Sequence, residues 1–580
     1  MSQADIPEAF LRWGYLQANL DPLGRLQPQP HSELELAGEA AERGRAVYCG
    51  SIGVEFQHIP YPDRCRWVRE RMESAPAEPD RRRILERLIR ADMFERVLQT
   101  RYLGTKRYSL EGATALIPLL DEILNSAAER GAEQIVLGMS HRGRLNVMAH
   151  IACKQPADIF GRFEDFSPRS VLGGGDVKYH VGATGEYATP QGRLLRVHLV
   201  SNPSHLEAVD PVVLGRTRAK QDRIGDGGAA RVLPITLHGD AAFAGQGIVA
   251  ETLNMAGLRG FAVGGSLHVI VNNLIGFTTV PRDLHSSRYS SDLAKRLPIP
   301  IFHVNGENLD AVARVARLAL EYRYAFTSDV VVDLIGYRLH GHSEVDDPTT
   351  TQPVLYEKIK HHPPVWQTYA RSVGMESAEA EALAEQIKLE LEQAQDQAKA
   401  AKKVASLRRL PDYWSGFDGG AYDPAFEVDT ALAPARLAEI AARITATPGD
   451  FHVHPKIERM LDQRREMARG RRPVDWGMAE TLAFGGLLWD GVRIRMSGQD
   501  TRRGTFNQRH AVLLDVEDEQ EYVALRHLHR GQGVFDCCDS PLSEAAPLGF
   551  EFGYSRDYPE ALVLWEAQFG DFANGAQVII

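Results

Sequence analysis

The chain has 580 residues, 44% hydrophobic and 25% charged, too many for one core and ordinary for a globular protein of several domains. A net charge of −11 argues against a nucleic-acid surface as the main partner, and no apolar run reaches the ~18–20 residues of a membrane helix. Five cysteines without CxxC spacing argue against a disulfide framework or zinc site and fit a reduced, cytoplasmic compartment, with no secretory signal at the N-terminus.

Residues 1–110 read as a mostly helical region. Apolar residues at helical spacing in Ile84-Leu85-Glu86-Arg87-Leu88-Ile89 lie beneath an arginine-rich face that reads as solvated. From 111 to 375, apolar strands alternate with helices. They include Gln134–Gly138, Leu194–Val200, Val232–Leu237, Leu267–Val271 and Val330–Ile335. That alternation predicts an α/β domain with a doubly wound parallel sheet. Residues 376–473 form a helical and irregular linker region, with one long polar helix or a helical pair over 376–408 and shorter helices over 433–444 and 456–472. A second α/β domain starts at 474, with a helix over 479–484 and strands over 492–496 and 561–565. It stops before a doubly wound domain is complete, and the ending Gln577-Val578-Ile579-Ile580 reads as interrupted.

Two strand ends carry oxygen ligands. Asp240 follows the run 232–237 and Asn273 follows 267–271; the interval of about 33 residues fits strand, crossover helix and strand. Parallel strands would bring both to the carboxyl edge of one sheet, where α/β folds bind ligands. A carboxylate, an amide and a backbone carbonyl suit magnesium, especially with a phosphate to complete its shell. The alternative is a strand-end turn with a capping aspartate and a buried asparagine pair. Gly245 and Gly247 stand where a helix begins, which favours phosphate, although the third glycine of a dinucleotide fingerprint is absent. Arg142, after the strand 134–138, offers a guanidinium to a diphosphate or a surface ion pair. His180, His205, His340, His342 and His510 fall in loops, where imidazoles can donate to a carboxylate or shuttle protons, or simply hold structure. Glu544 opens an apolar helix, as a functional carboxylate or as part of an N-terminal cap.

Taken together the chain resembles the thiamine-diphosphate-dependent, decarboxylating first component of the 2-oxoglutarate dehydrogenase complex. The resemblance runs from Gly14-Tyr15-Leu16-Gln17-Ala18-Asn19-Leu20-Asp21-Pro22-Leu23-Gly24 to Trp565-Glu566-Ala567-Gln568-Phe569-Gly570-Asp571-Phe572. It includes Tyr48–Phe56, His141-Arg142-Gly143-Arg144-Leu145-Asn146 and Asn202-Pro203-Ser204-His205-Leu206-Glu207. It implies a thiamine-diphosphate-binding fold in which Asp240, Asn273 and the Ile275 carbonyl hold Mg2+. Arg142 contacts the cofactor, Glu544 hydrogen-bonds its aminopyrimidine ring, and Gln568 lies near that ring. His180, His205 and His510 surround the substrate. Gln508 stands where many members carry a histidine, which leaves His510 as the candidate.

The implied activity is oxidative decarboxylation of 2-oxoglutarate in the tricarboxylic acid cycle, with the succinyl group passed to a lipoylated dihydrolipoyl succinyltransferase. The implied assembly is a homodimer in which Glu544 serves the cofactor held by the partner's Asp240 domain. The family continues beyond Ile580 and often begins with a longer arm, so an inactive, truncated subunit stays open. So do a 2-oxoadipate-acting relative, which Lys178-Tyr179-His180 and Ser201-Asn202-Pro203 disfavour, and a carboligase on the same cofactor. A nicotinamide-binding Rossmann domain is the weakest alternative, since no GxGxxG follows a strand.

Overall fold

The predicted apolar runs pair side by side in a computed structural model that describes residues 5–164, 177–401, 404 and 406–580. The chain divides into two compact units. The first comprises 1–213, 221–257 and 262–409, and the second 214–220, 258–261 and 410–580.

The first unit holds an eight-stranded sheet. Its strands are β1 (Ile52–Glu55), β2 (Gln134–Met139), β3 (Ala183–Ala188), β4 (Leu194–Leu199), β5 (Val232–Gly239), β6 (Leu267–Asn272), β7 (Ile301–Asn305) and β8 (Val330–Ile335). Their order is β1-β7-β8-β6-β5-β2-β4-β3. The six inner strands run parallel, and β1 and β3 close the two edges antiparallel. The chain leaves β2 toward β4 and β5 toward β6, in opposite directions. The crevice between β2 and β5 is therefore a topological switch point, open at the carboxyl ends of the strands.

β5, β6 and β8 are buried almost throughout, as strands covered on both faces must be. The helices Leu116–Glu129 and Leu309–Phe326 pack against each other as part of the main core. The second of these begins where the Asn308 side chain accepts from the Ala311 amide. The polar run after 376 is a single helix, Ser377–Ala401, laid along the helix Arg81–Arg101.

The N-terminal region is largely helical, with Glu8–Gln17, Glu39–Tyr48, Pro62–Glu73 and Arg81–Arg101, and it also contributes β1 to the main sheet. The arginine face of the last helix is less solvated than its composition suggested. Arg83 and Arg87 both pair with the buried Asp121, at 2.6 and 2.8 Å. The packing of Leu116–Glu129 brings that carboxylate to the arginines, which local periodicity cannot register.

The second unit contains a parallel three-stranded sheet ordered β12-β9-β13 and a small antiparallel pair, β10 (Leu513–Leu514) with β11 (Glu521–Tyr522). In the larger sheet β9 is Ile494–Gly498, β12 is Phe535–Asp539 and β13 is Leu562–Glu566. Its helix Trp476–Trp489 is capped by Asp475, whose carboxylate accepts from the Met478 amide at 2.8 Å. Arg495 on β9 is buried and forms a bidentate pair with Glu551 at 2.7 and 2.8 Å, with three aromatic rings around its guanidinium. The five cysteines are free thiols, and among the described residues no helix is long and apolar enough to cross a membrane.

Candidate active site

Parallel strands end on one edge, so the segments after β2, β4, β5, β6 and β8 converge there. β5 and β6 pair with Gly239 opposite Val271. Asp240, at the start of the helix Asp240–Gly245, and Asn273, just past β6, are thus neighbours at the strand tips. Both are buried. Burial, reinforced by Asp333, pushes the Asp240 carboxyl up to about 7, against the opposing pull of nearby backbone amides and Arg25.

The two adjacent asparagines divide their work. Asn272 donates to Asp333 at 3.0 Å and accepts from the Leu274 amide at 3.0 Å. Asn273 leaves its Oδ1 buried without a hydrogen-bond partner. Leu274 takes a left-handed turn, φ +54°, that leads into the buried Ile275. Gly276 follows, so close to Ala241 that an added Cβ would come within 2.6 Å of the alanine methyl. An unsatisfied amide oxygen beside a carboxylate that burial disfavours as an anion fits a divalent cation with oxygen ligands. Asp240 and Asn273 offer two such oxygens.

Three arginines surround this edge. Arg142, half-buried, donates to the backbone carbonyls of Ser109 and His342 at 3.0 and 2.7 Å. Desolvation and the nearby Arg338 hold it down to about 10. Arg338 donates to the carbonyls of His340 and Phe277. Arg25 donates to the carbonyls of Asn273 and Leu274, and burial lowers it as well. Guanidiniums that lie buried or half-buried, rest on carbonyls and repel one another favour a polyanion such as a diphosphate.

Beside them opens a cavity of about 520 Å³, bounded on the metal side by Ala241, Gln246 and Gly276. Its other wall carries Lys106, Tyr108, His141, His180, His205 and His342. His180 Nε2 lies 3.0 Å from the Ser204 hydroxyl, and His205 is exposed. His141 and His342 pack around Tyr108 with ring centroids 4.2 and 5.6 Å from it. Burial and the adjoining Arg142 hold His141 down to about 3 and His342 to about 4, so both are neutral near pH 7. Among the described lining residues Glu207 is the one carboxylate. The wall therefore suits an anionic substrate.

The second unit gathers a separate set at the carboxyl edge of its own sheet. Glu544 caps the helix Ala545–Asp557 positionally, without a side-chain capping bond. Gln499, just after β9, donates to Glu544 Oε1 at 2.7 Å and accepts from the Gln568 amide at 3.0 Å. Glu544 and Gln568 are thus joined through Gln499. His510, in the same unit, is hydrogen-bonded to Asn507 at 2.8 Å and lowered by burial and by Arg464 and Arg503. The Gln508 side chain accepts from the Phe506 amide, a local turn contact. His340 pairs with Glu111 at 2.9 Å and is raised by it, the mark of a structural ion pair.

Sequence reasoning missed Arg25, Tyr108, Lys106 and Arg338, did not single out His141, and left His342 without a role. His141 stands beside Arg142 within a quoted motif, and that adjacency was the available signal. Arg25 lies 248 residues from the carbonyl it holds and had none.

Residues 87–406 match the family described as "Dehydrogenase E1 component", and residues 472–580 match "Transketolase, pyrimidine binding domain". These are the two domains that together bind thiamine diphosphate, with Mg2+ as the usual metal. Proteins from Brucella canis and Brucella abortus (strain S19), each named "2-oxoglutarate dehydrogenase E1 component", are 42% identical over 618 residues. The Brucella ovis protein of the same name is 42% identical over 624. Each alignment covers 98% of this chain, and the chain spans about 62% of the length of these relatives. The chain belongs to the dehydrogenase E1 component family.

Proposed function

We propose that this chain carries the cofactor- and substrate-binding part of a 2-oxoglutarate dehydrogenase first component. The overall reaction is oxidative decarboxylation of 2-oxoglutarate, with delivery of the succinyl group to a lipoyl group on a partner acyltransferase. The observation that carries this reading is the Asp240–Asn273 pair, an electrostatically unsatisfied oxygen site flanked by arginines held on backbone carbonyls and opening onto a histidine-lined cavity. The match to relatives bearing that name supports it.

In this reading Asp240, Asn273 and the Ile275 carbonyl would hold Mg2+, and Arg142 would pair with the diphosphate whose charge the ion neutralises. When bound, thiamine diphosphate supplies an electron sink for the pair released as carbon dioxide leaves. Glu544 holds a proton against the pyrimidine ring. Gln499 fixes one of its carboxylate oxygens and leaves the other for the ring nitrogen, and Gln568 lies beside them. His180 and His205 would present imidazole donors to the carboxylates and ketone oxygen of the 2-oxo acid, and His510, carried on the second unit, is the third histidine candidate. One such preorganised donor contributes roughly 3 kcal/mol in a transition state.

We further infer a cytoplasmic homodimer in which Glu544 serves the partner's cofactor. Free thiols support the compartment. Exposed Trp476, Phe506 and Leu542 on the second unit support pairing with a second copy. Light scattering at micromolar concentration measures the assembly, and a monomer would remove the dimer. Calorimetric titration of thiamine diphosphate with Mg2+ tests the site. Binding to the chain and its loss in Asp240→Ala is the expected result, and equal binding by both would sink the metal assignment.

A further inference from the structure

The loop 201–207 carries His205 and touches His180 through Ser204. At its end Glu207 takes a left-handed backbone, φ +66°, which a non-glycine residue adopts only when its surroundings hold it there. The holding contact is specific. Glu207 is 4% exposed, and its Oε2 lies 2.6 Å from Nδ1 of the buried His238. Asp210, in the first turn of the next helix, stands 3.4 Å from the same nitrogen. The far nitrogen of His238 meets the Thr236 hydroxyl at 3.0 Å and His268 at 3.1 Å, which fixes the ring in its plane. His238 lies on β5, two residues before Asp240. One short hydrogen bond therefore joins the end of the histidine loop to the strand that presents the metal carboxylate.

We propose that Glu207 is a positioning residue that couples these two parts, so that the substrate loop is registered against the metal–diphosphate edge. This rests on the assignment of Asp240 and Asn273 to magnesium. The strained backbone makes the loop a loaded element, and the bond from His238 adds a long-range hold to the local contacts of the turn. With it, an ion or diphosphate that steadies the end of β5 also steadies His205. Binding at one end should then strengthen binding at the other by the same factor in both directions.

The test uses the full chain and glutarate, a dicarboxylate without the reactive ketone. Glutarate affinity is measured with and without Mg2+ and thiamine diphosphate. In the wild type it should tighten at least about 5-fold when both are present. Glu207→Gln keeps an acceptor for His238 and should keep that factor. Glu207→Gly relieves the left-handed strain, so the fold should survive, yet the factor should fall to about one. A glycine variant with wild-type coupling, a glutamine variant that loses it, or a wild type without coupling would each overturn the proposal. Asp240→Ala separates this from failure of the metal assignment, which shows as cofactor binding unchanged in that variant. If the wild type binds no cofactor, amide hydrogen exchange over 201–207 decides instead. Exchange about 10-fold faster in Glu207→Gly than in wild type supports the clamp, and equal rates refute it.

Discussion

Two neighbouring asparagines show how single residues part company at this edge. Asn272 spends its side chain on Asp333 and the Leu274 amide, whereas Asn273 keeps a buried, unbonded oxygen. Asn272→Ala should therefore lower stability by about 1–3 kcal/mol, because it leaves Asp333 short of a donor. Asn273→Ala should cost little stability and at least about 10-fold in magnesium-dependent cofactor affinity. Thermal unfolding and calorimetry on the two variants separate the roles, and the reverse pattern would exchange them. The sequence singled out Asn273 as the ligand but gave Asn272 no role, since the partner that decides it, Asp333, sits 61 residues away on β8. The arginine and histidine walls were half legible for the same reason. His180, His205 and Arg142 lie in distinctive motifs. Arg25 and Arg338 acquire meaning only when the sheet brings their loops to one edge.

At the scale of elements, the alternation of apolar runs and helices was enough to foresee the parallel sheet and the carboxyl-edge site. The short strand β1 escaped notice inside a helical region because four residues, Ile52–Glu55, carry no period of their own, and their place is set by β7. A buried histidine ties this corner. His303 on β7 lies 2.9 Å from Glu55 on β1 and 2.8 Å from Asp333 on β8, and the two carboxylates raise it from 6.5 to about 9 despite burial. A raised folded value contributes stability that is complete below about pH 6.5 and fades as pH climbs through 9. Melting temperature should fall over that window. His238, pushed up to about 10, adds a component of the same sign. His303→Gln should therefore flatten the slope rather than abolish it, and an unchanged slope would clear His303 of the effect. The turn after β6 is equally exacting. Gly276→Ala should drive the Ile275 turn away from Ala241 and weaken cofactor binding with little change in secondary structure, as calorimetry and circular dichroism would report.

Across the whole molecule, two cores are built from different stretches of chain, one around the eight-stranded sheet and one around β9 and its helices. Asp240 and Arg142 belong to the first and Glu544 to the second, which a reading by sequence order also separated. Magnesium with thiamine diphosphate at 100 times its dissociation constant should add about 2.7 kcal/mol to the unit that binds it. A scanning calorimetry trace in which the first unit's transition rises with ligand agrees with that placement. A ligand-induced rise that survives in Asp240→Ala would not.

The front of the chain carries one more implication. Asp21 gathers the amides of Leu23, Arg25 and Leu26 into a tight turn, and that turn aims Arg25 at the successive carbonyls of Asn273 and Leu274. A stretch remote in sequence thus braces the metal loop through its backbone. Mutational scanning should find Asp21 and Arg25 as intolerant as the strand tips themselves, and Arg25→Ala should fold yet hold its cofactor poorly, as circular dichroism and calorimetry would report.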